Sequence, residues 1–482
     1  MDMHPEGDEN RLGDMPPEEF RQALTEFCDW VCRYRAGVSD LPVLPRVRPG
    51  EVAAMLPEDP PVNGDAPGSW LADLDRVILP AVTHWNHPGF LAYFGISGSG
   101  PGVLGELVSA ALNVNGMMWR TSPAVTELET VVLRWYRTAM GLPRAWFGML
   151  TDTASTSTLV ALAAAREAAG LGVREHGLSG LPPLVMYCSQ EAHSSVEKAG
   201  LLLGLGTSGV VRVPTDHALR MDPAALERAI DEGRAAGKRP FAVVATVGTT
   251  STAAVDPVPE LVRVCRRHGL WLHVDAAYAG SAAIATEFRW VLEGCEAVDS
   301  LVANPHKWLF TPVDCSALFT ARPDDLRAAF SVVPEYLRSD EETLDLMDYS
   351  FQLGRRFRAL KLWFVFRYFG TSGIGRRISE HCRLAREFAG WVRNHAAFEL
   401  LAEPSLSVVC FRACPQAVEE AQLDAFNQRL LALVNDSGRV FLSHTRVRER
   451  FALRIAVGNL GTGEDRLQEG FQRLCRAVAS MA

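Results

Sequence analysis

The sequence has no excess of positive charge, no C-x-x-C pair, no run of about 18 uncharged apolar residues and no internal repeat. Each absence excludes a class of protein. Its 482 residues carry 48 Lys+Arg against 57 Asp+Glu, a net charge of −9, which argues against nucleic acid as the main partner. The ten cysteines are scattered, and the two close pairs, Cys28/Cys32 and Cys410/Cys414, lack the spacing of a zinc or dithiol site, so no metal is expected. A chain this long is not a small disulfide scaffold, and its thiols fit a reducing compartment. The stretch Met1 to Asp14 is polar and acidic, without the basic start and apolar run of a secretory signal. These features predict a cytoplasmic protein without a membrane partner. What is present is an ordinary globular composition, 48% hydrophobic and 22% charged. The length allows two to four domains, or one large α/β unit with appendages, and small molecules become the expected partners.

Pro16 to Arg35 reads as a helix with an apolar stripe formed by Phe20, Leu24, Phe27, Trp30, Val31 and Tyr34. Leu41 to Pro67 is rich in Pro, Gly and Asp and reads as an extended arm. Further on, β-rich runs at Leu184–Cys188, Val210–Val213, Phe241–Thr246, Trp271–Val274, Ser300–Val302 and Ala317–Thr320 alternate with helices at Leu159–Ala169, Pro223–Gly233 and Pro257–His268. That rhythm predicts a mainly parallel sheet, with ligands at the carboxyl ends of its strands. After Arg376 a helix precedes the strands Ser405–Arg412, Val440–His444 and Phe451–Val457, with another helix between the first two, as in a smaller α+β domain. The expected division is therefore 1–99 as an N-terminal helical and arm segment, 100–375 as a large α/β domain and 376–482 as a small α+β domain.

Three clusters bear on chemistry. Leu270 to Gly280 is a buried strand that ends in Asp275, followed by small residues. A carboxylate there faces the ligand crevice, although turn formers and helix caps look the same in sequence. In Ser300 to Phe310 a single lysine, Lys307, follows a strand among apolar and aromatic neighbours. Partial burial lowers a lysine's pKa and exposes a nucleophilic amine suited to an aldehyde, whereas a lysine snorkelling from a core edge would show the same pattern. Thr151 to Thr158 gathers hydroxyls directly before the helix at Leu159, either as a seat for a phosphate or as plain capping. An aldehyde-reactive lysine, a carboxylate for a pyridinium nitrogen and a phosphate seat are together what pyridoxal 5'-phosphate requires.

The motifs Gln190-Glu-Ala-His193-Ser-Ser, Thr246-Val-Gly-Thr-Thr250, His273-Val-Asp275-Ala-Ala-Tyr-Ala-Gly-Ser281 and Asn304-Pro-His-Lys307-Trp resemble the PLP-dependent aromatic-L-amino-acid decarboxylases. His87 to Phe94, Trp119 to Glu129 and Gly354 to Trp363 extend the resemblance over nearly the whole chain. It implies an aspartate-aminotransferase-like (type I) PLP-dependent transferase fold. It also implies that Lys307 bonds the cofactor's aldehyde, Asp275 keeps the ring nitrogen protonated and His193 stacks on the ring. Ala277 would pack behind it, while Ala154, Ser155, Thr246, Asn304 and His306 would hold phosphate and ring substituents. Tyr336 would donate the proton that replaces the lost carboxylate, from a polar lid that continues through Ser339 to Asp345. Aldehyde-forming relatives change His193 or Tyr336. Both are intact here.

By the same resemblance, Trp85, Tyr93, Phe94 and Ile96 form the substrate pocket of a homodimer, completed by partner residues near Asn115 and Met117. The sequence departs from animal relatives at Gly95 and Ile96, where proline and a hydroxyl residue are usual, and at Met117, where an aromatic is usual. Ile96 cannot hydrogen-bond a catechol, which predicts tryptophan or phenylalanine as substrate, with tyrosine accepted and dihydroxyphenylalanine less favoured. Gly354, where phenol-preferring plant relatives carry serine, agrees. The alternatives are an aldehyde synthase, an aminotransferase, a decarboxylase of a non-aromatic amino acid, and a non-catalytic protein of the same fold.

Two other motifs invite different readings. The glycines between Gly95 and Gly102 suggest a dinucleotide loop, but Val103 stands where a third glycine belongs and no acidic residue follows at the required distance. Arg355 to Arg367 interleaves arginines with aromatics as a nucleic-acid face does, yet helical spacing turns many of the aromatics inward.

Overall fold

Seven strands form the larger sheet: β1 (Phe147–Thr151), β2 (Leu184–Ser189), β3 (Val210–Val213), β4 (Arg239–Thr246), β5 (Trp271–Asp275), β6 (Ser300–Ala303) and β7 (Ser316–Thr320). This is a computed structural model, and it describes residues 13–332 and 343–481. The strand order is β1-β7-β6-β5-β4-β2-β3; β7 runs antiparallel to both neighbours and every other pair is parallel. The mainly parallel sheet predicted from the βαβ rhythm is present. Its central strands are buried along their whole length, as a sheet covered on both faces must be. One strand of this sheet has no counterpart among the expectations: β1 is short, and its Gly148 lies so close to Phe319 that an added Cβ would fall 2.9 Å from that ring.

A second sheet of four antiparallel strands contains β8 (Phe398–Leu400), β9 (Val408–Ala413), β10 (Ser443–Val447) and β11 (Arg450–Ala456), in the order β10-β11-β9-β8. The strand expected at Val440–His444 is displaced to Ser443–Val447. Asn435 fixes the preceding segment instead, exchanging hydrogen bonds with the Leu442 backbone at 2.9 and 3.0 Å. Helices Glu420–Asp436 and Glu464–Met481 belong to the core beneath this sheet.

The chain divides at His87/Pro88 into two units, and both sheets belong to the second. The first unit holds the predicted N-terminal helix, observed as Pro17–Gly37. Trp30 stacks on Tyr34 and donates to Asp75 at 2.7 Å. The Pro/Gly-rich stretch that follows carries one helical turn, Glu51–Ala54.

Within the second unit, helix Gly100–Leu112 packs on helix Arg358–Arg393 at very close range. A Cβ on Gly105 would meet Lys361 Cα at 2.4 Å, and one on Gly102 would meet Pro312 at 2.3 Å. Close packing therefore accounts for Gly102, the last glycine of the dinucleotide-like loop, without a nucleotide. Three of the five cations in the Arg355 to Arg367 stretch are paired in the interior. Arg355 pairs with Glu129 at 2.5 Å, Arg358 with Asp314 at 2.9 Å, and Lys361 with Glu106. Among the described residues no helix is long and apolar enough to cross a membrane, and no group of three or more His, Cys, Asp or Glu side chains is placed to hold a metal ion.

Candidate active site

The parallel strands β2, β4, β5 and β6 deliver their carboxyl ends to one edge of the sheet, and β1 points the same way. These ends are knitted together: Val247 N–H donates to Asp275 O at 2.8 Å, Ala276 N–H to Val302 O at 3.0 Å and Asn304 N–H to Ala277 O at 3.1 Å. The segments that leave them surround a cavity of about 210 Å³. Lys307, Asp275 and His193 line it, as do Ala154, Ser155, Thr246, Ala277, Asn304 and His306. Residues from five strand ends thus converge on one space.

Lys307 lies on the helical turn Pro305–Trp308 directly after β6. Its side chain keeps some surface open to the cavity, but protein atoms crowd it. That desolvation pushes the amine below the ordinary lysine range; Asp275 opposes the shift and Arg454 adds to it. The amine sits 5.3 Å from the centre of the Phe94 ring. Phe94 stacks on Tyr278 at 3.6 Å and Tyr278 on Trp308 at 4.5 Å. Trp308 in turn donates to His381 Nδ1 at 3.0 Å, so the lysine's immediate neighbour is anchored in the core.

Asp275, at the end of β5, accepts a 3.0 Å hydrogen bond from Ala277 N–H, which fixes its carboxylate. His193 caps helix Ser194–Leu202 and accepts from Ser195 N–H at 3.2 Å through Nδ1. The proton of the neutral ring therefore sits on Nε2. Burial lowers the pKa of His193, with Asp275 opposing and Lys307 reinforcing. His306 accepts from Cys315 N–H at 3.0 Å, and burial brings its pKa down to about 3. Thr246 N–H donates to Asp256 at 2.7 Å, and burial raises that carboxyl to about 6.

The Ser/Thr cluster differs from expectation. The helix begins at Ala154 rather than Leu159, so Ala154 and Ser155 occupy its first turn. Thr153, the cap residue, makes no side-chain capping bond. Ser157 turns inward, 2.7 Å from Thr151 Oγ1 and 3.1 Å from Ser316 Oγ. Thr151 and Ser157 are absorbed in this buried network and Thr153 does not cap, which leaves the first-turn N–H groups uncapped at the cavity.

Of the expected substrate residues, only Phe94 lines the cavity within one chain. Tyr93 turns its ring toward Phe441, at 5.8 Å, and is half exposed; its φ of 51° reverses the chain so that Phe94 goes inward. Ile96 is half-buried. Met117 packs with Met118 and Met347, and its sulfur lies 3.6 Å from Asn115 Nδ2. Trp85 belongs to the first unit. Tyr336 lies outside the described residues, whereas Asp345 accepts from Trp119 N–H at 2.8 Å.

Thr153, Gly248, Thr250 and Tyr278 also line the cavity without having been assigned a role from sequence. Gly248 has a φ of 91° and lies against Ala279, where a Cβ would come within 2.7 Å of the Ala279 Cβ. Arg454 was missed as well. It is buried on β11, holds its guanidinium 4.8 Å from the Phe94 ring and donates to Ser251 O at 3.0 Å. A charge interrupting the apolar run Phe451 to Val457 was the available signal.

The cavity suits pyridoxal phosphate on its own evidence. Thr246 Oγ1 is buried without a hydrogen-bond partner, the uncapped helix start favours an anion, and an amine and a carboxylate face the same space. Fold and site together define a PLP-dependent enzyme of the aspartate-aminotransferase-like class. The pyridoxal-dependent decarboxylase conserved domain matches residues 49–414, and the chain belongs to that family of PLP-dependent carboxy-lyases. It is 39% identical to tyrosine decarboxylase 4 of Petroselinum crispum, over 93% of this chain and 91% of that one. The structure of Oryza sativa TDC with PLP and tryptamine is similar at a TM-score of 0.95 and 35% identity, covering 98% of this chain and all of that one. A Rhodiola rosea 4-hydroxyphenylacetaldehyde synthase is similar at 0.91 and 33%, covering 97% and 99%.

Proposed function

We propose that this chain decarboxylates an aromatic L-amino acid to the corresponding arylalkylamine and carbon dioxide, preferring tryptophan or phenylalanine and accepting tyrosine. The observation that carries this reading is the meeting of Lys307, Asp275 and His193 around one cavity walled by the Phe94 ring. The aromatic relatives named above support the substrate class.

Bound pyridoxal phosphate supplies an electron sink for the pair left at Cα when the carboxylate departs. Lys307, whose amine gives up its proton more readily than an ordinary lysine, holds the cofactor's aldehyde carbon. Asp275 keeps the ring nitrogen protonated by placing a negative charge beside it. The first-turn N–H groups of Ala154 and Ser155, the Thr246 hydroxyl, Asn304 and His306 would hold the phosphate and ring substituents. His193, oriented by Ser195, would stack on the ring, and Ala277 would pack behind it. Tyr336 delivers a proton to Cα.

Two copies assemble, and residues near Asn115 and Met117 of each complete the pocket that Tyr93, Phe94 and Ile96 of the other begin. Leu104, Leu107, Val108 and Leu112 support this assembly, because they leave one apolar face of helix Gly100–Leu112 exposed.

The test is a substrate panel on the purified holoenzyme, reading amine, aldehyde and carbon dioxide for the aromatic amino acids, glutamate and histidine. Tryptophan or phenylalanine should give the highest kcat/KM; dihydroxyphenylalanine in first place would refute the preference. The likeness to the Rhodiola rosea synthase favours a second reading, aldehyde formation, and aldehyde as the main product of the unaltered enzyme would establish it. Tyr336→Phe should shift product from amine toward aldehyde, and unchanged amine output would remove Tyr336 from the chemistry.

A further inference from the structure

A second cleft, of about 1380 Å³, shares no lining residue with the Lys307 cavity. Its walls come from helix Pro123–Met140, the loop as far as Arg144, the segment 284–289 and part of helix Arg358–Arg393. It lies beside the amino-terminal end of β1, where Arg137 donates to the Trp146 carbonyl, whereas the Lys307 cavity lies at the carboxyl ends. Seven arginines and two glutamates line it, a formal excess of five positive charges in a chain whose net charge is −9.

Carboxylates answer few of these cations. Arg383 pairs with Glu380 at 2.8 Å and with Glu387 at 2.7 Å, and Arg376 donates to Ser372 Oγ at 2.7 Å. Glu287 is held by Ser379. Arg134, Arg144 and Arg386 make no hydrogen bond or ion pair with any described residue. Arg137 has a buried Nε without a partner. Burial first, and then the neighbouring positive charge of Arg134, make the protonated form of Arg137 less favourable. Fixed like charges around an open cleft repel one another, and an anion placed among them relieves that repulsion. Guanidinium groups match phosphate oxygens in pairs. Because the cations project from three separate elements across a wide cleft, one compact anion reaches only some of them.

We propose that this cleft binds a small molecule carrying several phosphate groups, at a site separate from the Lys307 cavity. The test is calorimetric titration of the PLP-loaded enzyme with sodium tripolyphosphate and with ATP at about 0.15 M salt. Saturable binding of one tripolyphosphate per chain is expected, with the cofactor's absorbance unchanged. The variant R134Q/R144Q/R386Q alters only side chains that make no internal hydrogen bond or ion pair, so its fold and decarboxylase activity should persist while affinity falls at least about tenfold. T138E provides a second check, since it adds a negative charge at an exposed position of the cleft and removes no arginine; it too should weaken binding. Equal affinity for both probes assigns recognition to the phosphates, and tighter ATP binding adds a contact with its base. The proposal is overturned by absence of saturable binding, by unchanged affinity in both variants, by an equal response to sulfate at matched ionic strength, by displacement of the cofactor, or by tighter binding of RNA.

Discussion

Behind Lys307 the candidate site is built from strand ends hydrogen-bonded to one another, and a single chain gathers the nine residues expected to face the cofactor into one cavity. On the substrate side a single chain contributes Phe94, while Tyr93 packs on Phe441 and Met117 on Met118 and Met347. The difference follows from what each half must do. Covalent chemistry needs groups held to a fraction of an ångström, which rigid strand ends provide, whereas recognition of a variable side chain can be assigned to loops and to a second subunit.

The largest effect tests the strand-end half. Lys307→Ala should lower kcat by at least about a thousandfold and abolish the borohydride-reducible chromophore, and Asp275→Asn should lower kcat by roughly 10²–10⁴. Near-normal turnover in either variant would remove that half from the chemistry. Met117→Arg should be equally inactive alone. If the substrate half is shared between subunits, coexpression of Lys307→Ala with Met117→Arg should restore activity through one intact composite site, measured on the purified heterodimer. No recovery would place the whole site in one chain.

A middle-sized effect concerns pH. Burial lowers the pKa of His306 to about 3 and of His273 and His381 to about 4. Above pH 6.5 these rings are neutral in folded and unfolded chains alike. As pH falls below that value the unfolded chain takes up protons that the folded chain refuses, so stability drops toward pH 4. Asp256, raised to about 6, acts in the opposite direction between pH 6 and 3.8, because there the folded state binds the extra proton. These three histidines, set against Asp256, contribute a loss of up to roughly 2–3 kcal/mol per pH unit in that window. His381→Gln should flatten the fall of Tm between pH 6.5 and 4.5 by about one proton's worth, and an unchanged slope would show that this ring charges freely in the folded protein.

How far the two halves could be read in sequence follows the same division. All six strands predicted for the larger sheet begin and end within two residues of those observed, because burial writes itself as apolar runs such as Leu184–Cys188. Asp275 and Lys307 were legible from their places at the ends of such runs. The start of the helix at Ala154 was not, since eight consecutive small and hydroxyl-bearing residues read as loop until Ser157 is seen bonded to Thr151 and Ser316. Nor was β1, whose pairing with β7 joins segments far apart in sequence. Arg454 reaches Phe94 from the other sheet, and its cation is cancelled by no local carboxylate pattern that sequence could display.

Smaller again is the contribution of one hydroxyl. Thr246 Oγ1 is buried without a partner in the protein, so in the holoenzyme it should satisfy itself on the cofactor. Thr246→Val keeps the shape and removes that bond, which should weaken cofactor retention by about 1 kcal/mol, roughly fivefold in the concentration needed to restore activity to the stripped enzyme. A variant that reloads at the same concentration as the parent would place the hydroxyl outside the cofactor's contacts.

The last effect concerns the substrate half and should leave the cofactor untouched. Ile96 offers no hydrogen bond to a ring hydroxyl, and an apolar pocket discriminates weakly between an aromatic ring and its hydroxylated analogue. Ile96→Ser supplies a donor and an acceptor at that position. It should raise the ratio of kcat/KM for dihydroxyphenylalanine over tryptophan by about tenfold at most, the worth of one hydrogen bond plus the lost apolar contact to indole. Because residue 96 lies outside the Lys307 cavity, cofactor affinity should match the parent's. A changed cofactor affinity with an unchanged substrate ratio would invert the assignment of the two halves at this position.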